Sequence, residues 1–211
     1  MLSARANGAI VTALDDGTRA LVRVAAVVAA GDDDATRAEL QRAAPITPHI
    51  WIEELLLQTY LFAGFPRALN GMRSWRRIVA RPADQFAPSP VDARTTGEQV
   101  CARVYGPMYD KLRVNIRELH PLLDDWMVEE GYGKVLSRPG LDLGRRELCI
   151  VAACAATGQD RQLQSHLHGA RNVGVSASSV SDALEEIATL IPAALAERAR
   201  RLWSKIRHDV H

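Results

Sequence analysis

The sequence predicts an all-α chain built from two related helical units in tandem. Three observations carry that reading. Shifted by 127 positions, residues 18–43 fall on residues 145–170, and ten of the 26 positions are identical. An ungapped self-match at a fixed offset marks a duplicated structural unit. Apolar residues recur at helical spacing, and no run alternates as a half-buried strand does. Helix start and stop signals also fall at suitable intervals along the chain.

Taken in order, residues 18–30 are rich in alanine and valine, stop at Gly31 and restart after Asp32-Asp33-Asp34, an acidic run suited to a helix N-terminus. Thr47-Pro48 opens the next helix, whose residues Ile52, Leu55, Leu56, Tyr60 and Phe62 share a face until Gly64 and Pro66 end it. Pro66 then starts a helix running to about Ile78. Pro82, Pro88 and Pro90 mark a linker, placed at 81–100 between a first unit at 15–80 and a second at 101–208. Further helices are expected at 108–119, 121–130, 145–156, 160–173, 178–190 and 193–207.

Composition limits the function more than it defines it. A net charge of +1 gives no electrostatic case for nucleic acid or membrane, and the basic residues, 23 Arg and three Lys, form no patch. Cys101, Cys149 and Cys154 make no CxxC pair, which suits a reducing cytoplasm. The N-terminal segment lacks the pattern of a signal peptide, and the apolar run 20–30 is too short to span a bilayer.

The two copies differ where chemistry is expected. Ala20 and Glu39 of the first correspond to Glu147 and His166 of the second. Glu147 lies 11 residues before Gly158 and His166 eight residues after it, so on antiparallel helices they reach similar depth. A carboxylate beside an imidazole can relay protons and fix its tautomer, although a purely structural hydrogen bond between helices fits the same spacing. His168 points about 200° from His166 and is expected to face solvent. The pair lacks the i, i+4 spacing of a helical metal site, so no metal is expected. Cys154 returns to the face of Glu147 but reads as a small buried hydrophobe, and Cys149 as core.

The second half, from YGPMYDKLRVNIRELHPLLDDW through YGKVLSRPGL to QLQSHLHGARNVGVS, resembles the carboxymuconolactone decarboxylase and alkylhydroperoxidase D family. In the first half IEELLLQTYLFAGFPRALNGM resembles that family's later helix pair. The resemblance spans roughly 15–80 and 104–200, and implies two alkylhydroperoxidase D-like units. The peroxidase branch uses a glutamate, a CxxC pair and a histidine. Here those positions are Glu147, Gln159, Gln162 and His166, so both thiols are absent and the dithiol cycle cannot run.

The decarboxylase branch needs neither thiols nor cofactor. By that resemblance, His166 supplies a proton to a carbanion left by loss of carbon dioxide, with Glu147 as its partner. An arginine would hold the substrate carboxylate, and Arg67 and Arg138 are the candidates, ahead of Arg145 and Arg146; Gln162 joins them as a substrate-binding position. The expected substrate is a small carboxylated lactone or related ring compound. The family's hexamer of single units implies a trimer of tandem chains, with one site composed from both halves. A non-catalytic binding or scaffold protein is the alternative.

Overall fold

In the computed structural model, which describes residues 14–80 and 92–207, all regular structure is helical. The elements are α1 (Asp16–Ala30), α2 (Asp33–Ala43), α3 (His49–Gln58), α4 (Tyr60–Val79), α5 (Ala93–Tyr105), α6 (Tyr109–Leu119), α7 (Pro121–Trp126), a π-helical stretch (Met127–Leu136), α8 (Leu143–Thr157), α9 (Asp160–Asn172), α10 (Ala177–Ile187) and α11 (Ala193–Ile206). The expected linker is shorter than 81–100, because α5 begins at Ala93 and buries Gly97 and Cys101. Residues 81–91 lie outside the described residues, as does the start of the segment examined for a signal peptide.

The 127-residue offset recurs in the helix bounds. α1 and α8 are each 15 residues long and begin 127 positions apart. Their N-caps, Asp15 and Asp142, accept from the amides of Thr18 and Arg145 respectively. Such carboxylates satisfy amides that the first helical turn leaves unpaired. α2 and α9 start at the same offset, and α4 and α11 end at it. Within α4 the backbone kinks at Gly64, whose φ of 80° suits a residue without a Cβ.

α1 lies along α8 at the centre of the molecule, and their alanine- and valine-rich faces form the middle of one continuous core. Small side chains let the two backbones approach closely. The corresponding arginines Arg19 and Arg146 each reach into the opposite half. Arg19 pairs with Glu186 at 3.2 Å and Asp182 at 3.7 Å on α10. Arg146, fully buried, pairs with Glu54 at 2.8 Å and donates to Gln58 at 3.0 Å on α3.

α5 and the π-helical stretch touch backbone to backbone. A Cβ at Gly97 would collide with the carbonyl of Val128, and one at Gly133 with the carbonyl of Ala93. This contact brings Tyr105 and Tyr132 together, ring centroids 5.9 Å apart. The α6–α7 hairpin packs outside it, and α6 buries none of its residues. Arg113 and Arg117 of α6 hold the hairpin shut by gripping the buried carboxylate of Asp124 on α7.

Candidate functional site

Glu147 and His166 meet as their spacing predicts. Asp142 starts α8, Gly158 turns the chain with a left-handed φ of 68°, and α9 returns alongside. The Nδ1 of His166 lies 2.8 Å from Oε2 of Glu147, with both residues buried. Gly169 makes room for this pair, since a Cβ there would stand 2.7 Å from the same carboxylate oxygen. The other oxygen, Oε1, is buried without a hydrogen-bond partner among the described residues. Phe62 of α4 meets the imidazole edge-on at 5.6 Å, and Tyr105 lies 6.4 Å from it.

His166 forms part of the wall of a cavity of about 770 Å³ that opens to solvent. Both halves of the chain build it. Tyr60, Phe62 and Phe65 come from α4, Leu112 and Ile116 from α6, Leu123 and Trp126 from α7, and Gln162 and Ser165 from α9. The lining is chiefly apolar, with Phe65 and Trp126 more than half exposed. Tyr105 and Tyr132 also line it, and burial pushes both phenols well above their ordinary value, leaving neutral O–H groups. Its one carboxylate, Glu130, pairs with Lys134 at 2.6 Å.

Among the described residues no arginine lines this cavity, and the expected carboxylate clamps lie elsewhere. Arg67 donates to the carbonyl of Gly31 and borders a separate small cavity with Asp32 and Asp33. Arg138 is held by Glu54 at 3.0 Å beside buried Arg146. Arg145 is divided between Asp15 and Asp142 and lies over the Trp51 ring. Each guanidinium is engaged by a carboxylate or carbonyl of the fold away from the His166 cavity. Gln162 does line the cavity.

The sequence places Tyr60 and Phe62 on one helical face and does not single out Tyr105 or Tyr132. The retained FAGFP turn was the available signal for the first two, because it fixes where α4 delivers its aromatics. His168 is half-buried beside a second cavity rather than simply facing solvent. All three cysteines are buried, and burial pushes each thiol up to about 12. At neutral pH they are not thiolates.

Residues 121–205, from α7 almost to the end of α11, match the carboxymuconolactone decarboxylase family. The matched segment contains Glu147, Gln162 and His166, whereas Tyr60, Phe62 and Tyr105 come from outside it. No curated protein matches the chain. Among the described residues no helix is long and apolar enough to cross a membrane, and no three His, Cys, Asp or Glu side chains are grouped to hold a metal ion.

Proposed function

We propose that this chain is a decarboxylase-like lyase that works without a cofactor, moving a proton at a ring carbon of a small lactone or related carbonyl compound. The observation that carries this is the buried Glu147–His166 pair forming part of the wall of an apolar, open cavity. With Glu147 ionised, Nδ1–H of His166 donates to Oε2 and leaves Nε2 as the base toward the cavity. Nε2 makes no hydrogen bond among the described residues and is not among the buried unpartnered atoms.

Proton transfer at a carbon beside a ring carbonyl leaves an enolate oxygen. Tyr132 donates to Tyr105, and the neutral Tyr105 phenol can donate to that oxygen in surroundings of low polarity, where such bonds are strongest. In the decarboxylating version, the carbon–carbon bond to the carboxylate breaks and its electron pair enters the same enolate. In that version His166 begins as the imidazolium, its second proton taken from solvent, and gives that proton to the ring carbon. The buried, protonated cysteines offer no peroxide-reactive thiolate.

The same reading takes residues 15–80 as a degenerate second copy that lost the acid and the imidazole but kept the aromatic wall. Support comes from the shared helix bounds and the reciprocal arginine contacts. A non-catalytic binding protein is the second reading, favoured by the absence of a cation among the residues lining the cavity. The two separate in one comparison. An enzyme loses turnover on His166→Ala while still binding ligand, whereas a binding protein shows no turnover in either form.

A further inference from the structure

A second cavity, of about 510 Å³, adjoins the first; its lining is likewise chiefly apolar, but it is bordered by cations where the first carries a carboxylate. Tyr105, Leu112 and Ser165 line both. The second is bordered by Lys111 of α6 and by Arg161 and His168 of α9, with Asn115, Gln164 and Asn172 around them, and among the described residues no carboxylate lines it. Lys111 and Arg161 form no ion pair among the described residues, although Arg113, Arg117 and Lys134 nearby are all paired. On α9 the residues Arg161, Gln164, Ser165, His168 and Asn172 share one helical face, and His166 and Gln162 occupy the adjoining one. One helix therefore presents an apolar reacting chamber and a cationic chamber, with Ser165 at the border.

We infer that the two chambers form one site for an amphipathic anion. The ring or chain lies in the apolar chamber against His166, and a carboxylate or phosphate lies between Lys111, Arg161 and His168. The location of the reacting end rests on the catalytic reading above; the shape and charge of the ligand rest on the two cavities. The charge pattern sets the direction of binding. Glu130, paired with Lys134, offers an anion no attraction in the first chamber, while Lys111 and Arg161, without an ion pair among the described residues, attract it in the second. A compact carboxylated lactone would place its charge where the cavity lining offers no cation, so the favoured ligand is longer, with its acidic group remote from the reacting carbon.

Calorimetric titration of the full chain with hexyl phosphate, octyl phosphate, 1-octanol and inorganic phosphate tests this. Octyl phosphate is expected to bind one to one, tightening about fourfold per added methylene relative to hexyl phosphate. Octanol and inorganic phosphate should each bind at least about tenfold more weakly, since each engages one chamber. The double variant Lys111→Ala/Arg161→Ala, altered at exposed positions, should weaken octyl phosphate about tenfold and leave octanol unchanged. Equal affinity for octanol and octyl phosphate would overturn the inference. So would inorganic phosphate binding as tightly as octyl phosphate, or an octyl phosphate affinity indifferent to Lys111 and Arg161. Repeating the titrations in His166→Ala separates the two claims. The binding pattern survives there if the two-chamber site is right, whatever that variant does to turnover.

Discussion

At the residue scale the account turns on one hydrogen bond and the space made for it. His166→Ala should remove about 10²–10⁴-fold of turnover while leaving the helical content of the circular dichroism spectrum intact. Glu147→Gln should also lower turnover, because an amide stabilises an imidazolium less well than a carboxylate does. Gly169→Ala forces a methyl group against Oε2 of Glu147 and against Val104, so it should displace the carboxylate and cost about 1–3 kcal/mol in thermal denaturation. In contrast, Arg67→Ala should leave ligand affinity unchanged, since its guanidinium serves the Gly31 carbonyl away from the His166 cavity. Equal turnover in His166→Ala and the unaltered chain would leave the binding-protein reading in front.

At the scale of elements, the antiparallel placement of Glu147 and His166 was legible because helical rise and a glycine turn fix depth with little help from tertiary structure. The arginines were not legible. Any of the 23 could in principle clamp a carboxylate, and only packing shows that Arg138 and Arg146 are taken by Glu54. α5 was read partly as linker because its first residues, Ala-Arg-Thr-Thr-Gly, carry weak helix signals. What fixes it is contact with the π-helical stretch through Gly97 and Gly133, a long-range effect that local sequence does not report. That contact also delivers Tyr105 and Tyr132, so the phenols escaped notice with it.

The α6–α7 hairpin gives an element-scale prediction. The Arg113 guanidinium, followed by Arg117, holds the Asp124 carboxyl below its ordinary value of 3.8. A depressed carboxyl contributes stability that is present above its unfolded value and lost as pH falls through its folded one. Between about pH 5 and about pH 2, the melting temperature should therefore fall less in Asp124→Asn than in the unaltered chain. Near neutral pH the variant should be the less stable of the two, because the buried arginine contacts are weakened.

At the scale of the whole molecule, α1 and α8 stand side by side and their corresponding arginines reach across in opposite directions. Arg146→Ala should cost about 1–3 kcal/mol in denaturant unfolding, because it removes the buried donor to Gln58 and to the carbonyls of Leu141 and Arg138, while Glu54 keeps Arg138. Reading the chain as two fused units, we propose that three chains assemble. Leu119 at 77% exposure and Leu122 at 46% offer apolar surface for that contact. Light scattering should then report about three times the 23.1 kDa chain mass, and Leu119→Glu/Leu122→Glu should shift it toward a single chain.

The central claim is that His166, oriented by Glu147, moves protons at carbon inside the apolar cavity. Its most direct test is deuterium exchange in D₂O, followed by proton magnetic resonance, for lactones and cyclic ketones that bind the chain, with and without a remote acidic group. The account predicts exchange at the carbon beside the ring carbonyl, slowed at least about 100-fold in His166→Ala and more modestly in Glu147→Gln. Bound compounds that exchange no faster with the unaltered chain than with His166→Ala would contradict it.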